Sequence, residues 1–257
     1  MSDCSQFASA EIAALLRANG LESLDDAFRL GEAVDAAHQQ RASRHLNKRV
    51  VRLELRGARG VVTPVYIKRQ WRRERWLPRV TDLRHRINLF CSPIHEWQGL
   101  RILQEAGFQV SEPLAVFYRG WGLVRGAVVT RAVPPESSMA DLLLSGSLLE
   151  MTIPRRDALI EAAAGVAARL HRARLSWRSM KAKHFYPEEL ADGSWRIWLI
   201  DCEGVYRWAS RRDCRREWHT FLRYFTGHTP ALKERFVSAY ERAFQGDMPP
   251  KRLKPAA

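Results

Sequence analysis

The sequence predicts an α+β fold in which a β-rich first half precedes a helical second half. Residues 49–56 and 61–68 are two neighbouring runs that alternate apolar and polar side chains with period two, as strands do. Beyond Pro134-Pro135, apolar residues recur instead every three or four positions, as they do on one face of a helix. With 257 residues, 46% of them hydrophobic, the chain is large and apolar enough for one two-lobed domain or two small ones.

Two short helices and a β-hairpin are predicted first. Ser9 and Ser23 are N-cap candidates for the helices, because a serine side chain accepts a hydrogen bond from an unpaired backbone N–H of the first turn. The glycine-containing stretch 57–60 predicts the turn of the hairpin. The second strand of this hairpin then ends at Lys68.

A longer helix and two further strands complete the predicted β-rich half. Ser92-Pro93 predicts the start of the helix, with serine as N-cap and proline in the first turn, and Gly107 predicts its end. Glu96 then lies near the beginning of that helix. Residues 114–118 and 126–133 have the composition of strands.

The second half is predicted to be mainly helical. Ser138 begins a capping-box pattern, and an apolar stripe over residues 159–170 predicts a long helix that ends at His171. A basic loop follows over 172–183. Asp192-Gly193 then separates two strand-like pieces, and two amphipathic helices close the fold.

These elements predict four regions along the chain. We expect a helical extension at residues 1–35, a first lobe at 36–133, a second lobe at 134–248 and a disordered tail at 249–257.

Charge and cysteine content restrict the partners and the compartment. The net charge of +14 predicts a polyanionic partner, such as a nucleotide, a nucleic acid, an acidic membrane surface or a phosphorylated glycolipid. The four cysteines form no CxxC pair, so neither a zinc site nor a disulfide framework is indicated, and a reducing cytoplasm is expected. No apolar run is long enough to span a membrane, so any membrane association is expected to be peripheral.

Three charged residues in apolar surroundings predict a phosphoryl-transfer site. Lys68 follows Val65-Tyr-Ile, Glu96 lies in the predicted helix, and Asp201 follows Trp198-Leu-Ile. Phosphoryl transfer needs a cation for the phosphates, an acid to hold that cation and a carboxylate for a metal, because it relies mainly on positioning and charge neutralisation. Each residue also has a structural interpretation: a solvated strand-end lysine, an acid favoured by the helix dipole, and a turn-capping aspartate.

Two histidines flank the basic loop. His171, at the end of the long helix, is expected to be a packed or hydrogen-bonded residue. His184 lies close to Asp201 if the two strand-like pieces pair, and it is therefore a candidate second metal ligand.

The order of these motifs resembles the bacterial lipopolysaccharide core kinases, a family that includes heptose kinases and 3-deoxy-manno-octulosonate (Kdo) kinases. The similarity covers roughly residues 24–226, and as an ordered set the motifs are fairly specific. They are Val65-Tyr-Ile-Lys68, the helix around His95-Glu-Trp-Gln-Gly-Leu, Leu170-His171, Lys183-His184-Phe185 and Leu199-Ile-Asp201. The resemblance implies a bilobal protein kinase-like fold.

The resemblance also implies a function and a site. It implies ATP and Mg²⁺ as cofactors, with Lys68 and Glu96 holding the nucleotide and Asp201 and His184 holding the metal. The implied acceptor is a heptose or Kdo sugar of the lipopolysaccharide inner core. The implied location is the cytoplasm, peripherally on the inner face of the inner membrane.

One departure from the family falls at the expected catalytic aspartate. Where the family resembles His-Arg-Asp, this chain has Trp177-Arg178-Ser179. A positioned general base contributes about 10² to 10⁴ in rate, so its loss slows phosphoryl transfer without forbidding it. Three possibilities stay open: a slow kinase, a kinase with a relocated base such as Glu203, and a pseudokinase with a regulatory or assembly role.

An arginine-rich segment between the lysine strand and the glutamate helix is the candidate substrate-docking surface. Arg69, Arg72 and Arg73 are interleaved with tryptophans, and guanidinium groups bind phosphates or anionic lipid headgroups through paired hydrogen bonds. The alternative is a solvated arginine-rich face.

Two other functional classes compete with the lipopolysaccharide kinase. A small-molecule kinase of the aminoglycoside or choline type shares the lysine and the metal-binding aspartate. A nucleic-acid-binding protein is supported only by charge and by arginine-tryptophan interleaving. Because no recognised nucleic-acid module accompanies that charge, we do not expect a nucleic-acid partner.

Overall fold

The computed structural model describes residues 3–30, 32–33, 46–72, 92–119, 125–225 and 230–244. The chain divides into two compact units: one comprises residues 1–101 and 111–132, and the other comprises 102–110 and 133–257.

The first unit is built on one six-stranded antiparallel sheet. Its strands are β1 (Asp3–Phe7), β2 (Glu32–Ala33), β3 (Leu46–Arg56), β4 (Val62–Arg72), β5 (Pro113–Arg119) and β6 (Arg125–Arg131). They pair in the order β1-β5-β6-β4-β3-β2. The described helices that begin in this unit are α1 (Ala10–Ala18), α2 (Leu24–Arg29) and α3 (Ser92–Glu105), and the last residues of α3 belong to the second unit.

The predicted hairpin is confirmed, with longer strands than expected. Strands β3 and β4 pair from Leu46 with Arg72 to Arg56 with Val62, and the turn between them contains the short 3₁₀ segment Ala58–Gly60. Gly60 has a φ of 74°, a left-handed conformation that favours glycine.

The alternation of side chains along β4 gives the sheet two different faces. Val65 and Ile67 pack into the larger core with residues of α1 and α2, such as Leu16 and Leu24. The opposite face carries a smaller apolar cluster in which Ile94 and Trp97 of α3 pack against Val116 and Val128 of the sheet. Successive residues of a strand point to opposite faces, so odd and even positions of β4 belong to different environments.

The predicted caps of the two short helices are confirmed. Ser9 accepts a hydrogen bond from the N–H of Ile12, and Ser23 forms a capping box with Asp26. Helix α3 differs slightly from its prediction, since Ser92 is its first residue rather than the residue that precedes it. Strands β1 and β2 were not predicted.

The second unit is mainly helical. Its helices are α4 (Met139–Leu144), α5 (Ser147–Glu150), α6 (Ile153–Arg172), α7 (Arg211–Leu222) and α8 (Pro230–Ala243). Ser138 caps α4 through the predicted capping box. Stacked aromatic rings form the core between α7 and α8, with Trp218 and Phe221 against Phe236 and Tyr240.

Two small two-stranded sheets complete this unit. Strands β8 (Phe185–Glu189) and β9 (Trp195–Leu199) form the predicted hairpin. Strands β7 (Leu175–Trp177) and β10 (Val205–Arg207) form a second antiparallel pair. The prediction of an unbroken loop over 172–183 is therefore wrong, because β7 lies inside it.

The expectation of a disordered tail at 249–257 concerns residues outside the described part of the chain. Within the described ranges, no helix is both long enough and apolar enough to cross a membrane.

Candidate active site

Lys68 and Glu96 form a buried ion pair in the first unit. The Nζ atom of Lys68 lies 2.6 Å from Oε2 of Glu96, and the two side chains are 14% and 7% exposed. Strand β4 presents Lys68 on the face that carries the smaller apolar cluster, because Lys68 is paired with Val128 in the sheet. A lysine and a glutamate are rarely buried unless they are paired. The sequence prediction that these two residues meet agrees with this geometry.

Helix α3 fixes the position of Glu96. Glu96 lies in the second turn, and its neighbours Ile94 and Trp97 anchor the helix on the sheet through Val116 and Val128. The carboxylate is therefore held by packing on both sides, and the Lys68 ammonium cannot swing freely into solvent. An ammonium fixed in this way can act as a point charge for a phosphate group.

His184 and Asp201 lie together in the second unit. The Nε2 atom of His184 is 3.2 Å from Oδ2 of Asp201. Pairing of β8 with β9 produces this approach, because His184 directly precedes β8 and Asp201 follows β9. Asp201 has a φ of 53°, a conformation that is uncommon for a residue other than glycine and often found at functional sites.

The hydrogen bond on the other ring nitrogen fixes the tautomer of His184. Its Nδ1 atom is 2.8 Å from the backbone carbonyl oxygen of Ser179, and a carbonyl can only accept, so Nδ1 carries the proton. In the neutral ring the Nε2 lone pair then points toward an oxygen of Asp201. A nitrogen and a carboxylate oxygen arranged in this way are suitable neighbouring ligands for one cation.

The donor set fits a metal that takes further ligands from its substrate. Among the described residues, no group of three or more His, Cys, Asp or Glu side chains could hold a metal ion. Mg²⁺ is commonly bound by one or two protein carboxylates together with substrate phosphates and water, so the single carboxylate of Asp201 is compatible with such a site.

The segment Trp177-Arg178-Ser179 is held by Glu217, a residue that the sequence prediction missed. Glu217 lies on α7, is 1% exposed, and accepts hydrogen bonds from the N–H of Trp177 at 2.9 Å and from the hydroxyl of Ser176. Glu217 falls on the same helical face as Cys214, Trp218 and Phe221. An acid on the apolar face of a helix is the sequence signal for such a residue.

Arg178 has an exposed side chain, and its Cβ lies near the turn that follows Asp201. Gly204 has a φ of 80°, and a β-carbon added there would lie 3.7 Å from Cβ of Arg178, so the turn after Asp201 passes close to this segment. The backbone at Ser179 is thus held by Glu217 through Trp177 and by His184 through the Ser179 carbonyl.

His171 belongs to the same buried network. It is fully buried, its Nδ1 atom lies 2.7 Å from the hydroxyl of Tyr240, and its Nε2 atom lies 3.4 Å from Glu217. Burial raises the pKa of the Tyr240 hydroxyl, and Cys214 and Glu217 add to the effect. His171 is a packed, hydrogen-bonded residue, as expected.

The predicted arginine surface is not brought together with Lys68. Arg69 lies on the opposite face of β4, where it is 3% exposed and donates a hydrogen bond to the carbonyl of Leu30. The side chain of Arg72 and the whole of Arg73 lie outside the described part of the structure.

Comparison with known proteins identifies the family. Residues 36–240 match the family described as "Lipopolysaccharide kinase (Kdo/WaaP) family". The chain belongs to this family. The lipopolysaccharide kinase assignment agrees with the resemblance carried by the motifs around Lys68, Glu96 and Asp201, and it places the chain among transferases of lipopolysaccharide biosynthesis.

A solved structure supports the fold of this lipopolysaccharide kinase family member. The structure titled "WaaP in complex with acyl carrier protein" matches 93% of this chain and 89% of its own chain, with a TM-score of 0.63 and 19% sequence identity. Similarity at this identity establishes the kinase-like fold. No curated protein sequence matches the chain.

Proposed function

We propose that this family member is a kinase that transfers a phosphoryl group from ATP to a hydroxyl of a heptose or Kdo sugar in the lipopolysaccharide inner core. The largely buried ion pair of Lys68 with Glu96 is the observation that carries the proposal. Burying an ion pair costs desolvation free energy and adds little stability, so its presence favours a charge-dependent task for the lysine.

The residues of the two units have complementary roles in this proposal. Lys68 binds phosphate oxygens of ATP while Glu96 keeps its ammonium in place. Asp201 and His184 hold Mg²⁺. A bound Mg²⁺ ion supplies positive charge that offsets the charge developing on the phosphate oxygens.

Ser179, in place of the expected catalytic aspartate, determines how fast we expect phosphoryl transfer to be. A serine hydroxyl can orient the acceptor hydroxyl by a hydrogen bond, but it is too weak a base to accept the proton at neutral pH. The backbone of Ser179 is nevertheless held through Trp177 and His184 as a catalytic segment would be. We therefore propose a slow kinase whose acceleration comes from positioning and charge, with Arg178 as a further candidate phosphate contact.

The alternative is a pseudokinase that binds nucleotide without transfer, and Ser179 is the residue that favours it. Isothermal titration with Mg·ATP and with a non-hydrolysable analogue measures binding, and ³²P transfer to purified core oligosaccharide measures turnover. The kinase proposal expects both. Binding without transfer to oligosaccharide, aminoglycoside or choline supports the pseudokinase, whereas transfer to the small acceptors alone supports the small-molecule kinase.

We also propose two partners. A net charge of +14 favours peripheral association with the anionic inner face of the inner membrane. The same charge favours an acidic carrier protein, and the similar WaaP structure was solved in complex with acyl carrier protein. Copurification of an untagged acyl carrier protein with the tagged chain at low salt, and its loss at high salt, tests the second partner.

A further inference from the structure

Three arginines meet on the face of the sheet opposite Lys68. Arg49 of β3 is paired with Arg69 of β4, and Arg69 is paired with Ala127 of β6. Arg125 lies in the same strand as Ala127, two residues before it. Each of these arginines is two residues from a core residue of its own strand, as Arg49 is from Val51 and Arg69 is from Ile67. Residues two apart in a strand point to the same face, so the three arginine side chains project from the side of the sheet that packs against α2.

Arg69 is a buried cation with unmet hydrogen-bonding capacity. Its side chain donates to the carbonyl of Leu30, but its Nε–H has no hydrogen-bond partner among the described residues. An unpaired donor on a buried charged group is costly, so a ligand that accepts from it is favoured.

Among the described residues of this face, the positive charges outnumber the negative ones. Asp25 is shared by Arg119 at 3.2 Å and Arg125 at 2.9 Å, which leaves Arg49 and Arg69 without a carboxylate among the described residues. Burial lowers the pKa of Arg69 to about 10, and repulsion from Arg49 and Arg125 adds to the decrease. A nearby carboxylate would act in the opposite direction.

The ring of Phe28 contacts the guanidinium groups of both Arg125 and Arg69. The guanidinium carbon of Arg125 lies 3.8 Å from the ring centre of Phe28, that of Arg69 lies 6.0 Å from the same centre, and Phe28 packs edge-to-face against Trp71. A ring beneath a guanidinium group restricts its orientation and leaves its N–H edges available to an anion.

We propose that Arg49, Arg69 and Arg125 form a binding site for a phosphate group that is separate from the nucleotide. Guanidinium groups match the oxygens of a phosphate in paired hydrogen bonds. A phosphate supplies both the negative charge and the acceptor that the described residues of this face do not provide for Arg69. Lys68 leaves β4 on the other face, so a nucleotide phosphate bound by Lys68 cannot also occupy this site. The site does not depend on whether phosphoryl transfer occurs.

The phosphate can belong to a membrane lipid headgroup or to a phosphorylated saccharide, and the test separates these sources. Inorganic phosphate is titrated into the full-length protein by isothermal calorimetry, with sodium chloride at equal ionic strength as the reference. Sedimentation with phosphatidylcholine vesicles, with and without phosphatidylglycerol, is measured in parallel.

The informative variants are Arg49→Gln and Arg125→Gln, since Arg49 is exposed and Arg125 is only partly buried, and both are expected to leave the fold intact. Arg52→Gln is the matched control. It removes the same charge from β3 but lies on the opposite face, where Arg52 contacts Glu54. Thermal unfolding of every variant verifies that it is folded.

The expected result is saturable phosphate binding that weakens about tenfold in Arg125→Gln and Arg49→Gln and is unchanged in Arg52→Gln. If phosphate also displaces the protein from phosphatidylglycerol vesicles, the lipid is the source. Binding of phosphate without vesicle association indicates a saccharide phosphate. Non-saturable binding, or an equal loss in Arg52→Gln, overturns the site, and neither result bears on ATP binding at Lys68.

Discussion

Glu217 accepts a hydrogen bond from the backbone N–H of Trp177 at 2.9 Å, although the two residues are 40 positions apart in the chain. The contact connects α7 to the segment Trp177-Arg178-Ser179, which the sequence resemblance equates with the catalytic loop. Because the donor is a backbone group, it restrains the path of the chain at Arg178 and Ser179 rather than the position of one side chain.

Replacing Glu217 by glutamine is expected to destabilise the second unit by about 1–3 kcal/mol, because the amide cannot accept both hydrogen bonds and one buried donor loses its partner. Urea unfolding measures this loss. The exposed Glu234 on α8 provides the matched control, and Glu234→Gln is expected to leave stability unchanged. If the two variants unfold alike, Glu217 does not restrain this segment.

Breaking the Lys68–Glu96 pair separates stability from nucleotide binding. Lys68→Met leaves a buried carboxylate without its cation, which is expected to cost about 3–5 kcal/mol. Adding Glu96→Gln removes that charge and restores part of the stability, but it cannot restore a cation for phosphate. Unfolding curves and Mg·ATP titrations of the two single variants and the double variant measure the difference. Recovery of ATP binding in the double variant would show that Lys68 does not contact the nucleotide.

Most of the secondary structure could be predicted because its signals are local. The hairpin of β3 and β4 follows from its period of two, and the caps at Ser9, Ser23 and Ser138 follow from side-chain chemistry. Strand β7 could not be predicted, because three residues are too few to show a period and its partner β10 lies 28 or more positions later. Strand β1 also lacks an alternating pattern, and it depends on its pairing with β5.

The pairs at the candidate site agree with the sequence prediction, whereas Arg69 does not lie beside Lys68 as that prediction expects. Lys68 with Glu96 and His184 with Asp201 were predicted from the order of elements and from burial of charged residues. Arg69 directly follows Lys68 in the sequence, and this adjacency alone suggests a shared site. In a strand, however, adjacent side chains point to opposite faces of the sheet. Applying this alternation to the predicted strand would have separated Arg69 from Lys68.

Alkaline pH is expected to destabilise the fold through Cys214. Burial raises the pKa of this thiol from 9.0 to about 11, with Glu217 and Asp213 adding to the increase. A folded-state pKa above the unfolded value gives stability that is present below about pH 9 and is lost as pH rises toward 11. The loss is at most about 3 kcal/mol, since each pKa unit corresponds to about 1.4 kcal/mol.

Urea unfolding at several pH values between 8 and 11, compared between the wild type and Cys214→Ala, measures the contribution of Cys214. Cys214→Ala is expected to be less stable than the wild type at pH 8, because removal of the sulfur leaves a cavity. It is expected to lose less stability than the wild type as pH rises. Cys4→Ala removes an exposed thiol and is expected to follow the wild-type curve. Parallel curves for the wild type and Cys214→Ala would contradict the prediction.

Ser179→Asp tests whether the missing base limits the rate. The backbone at Ser179 is already held through Trp177 and His184, so an aspartate introduced there is expected to lie where a base is needed. If the proposed kinase is otherwise assembled, turnover on core oligosaccharide is expected to rise by about 10² to 10⁴ with little change in ATP affinity. Ser179→Ala is the control and is expected to change the rate by less than tenfold. No gain in Ser179→Asp would favour the pseudokinase.

In the proposed metal site, the imidazole nitrogen of His184 is expected to influence the choice of metal. Imidazole is a poorer ligand for Mg²⁺ than for Mn²⁺, whereas carboxylate and amide oxygens suit both, so the pair of His184 and Asp201 is expected to bind Mn²⁺ more tightly than Mg²⁺. His184→Asn replaces nitrogen by oxygen and is expected to narrow that difference, while Asp201→Asn weakens both metals because it removes the charge. Electron paramagnetic resonance of Mn²⁺, with Mg²⁺ as competitor and ATP present, measures both affinities without depending on turnover. An unchanged ratio in His184→Asn would mean that the imidazole does not contact the metal and that its role is confined to holding the Ser179 carbonyl.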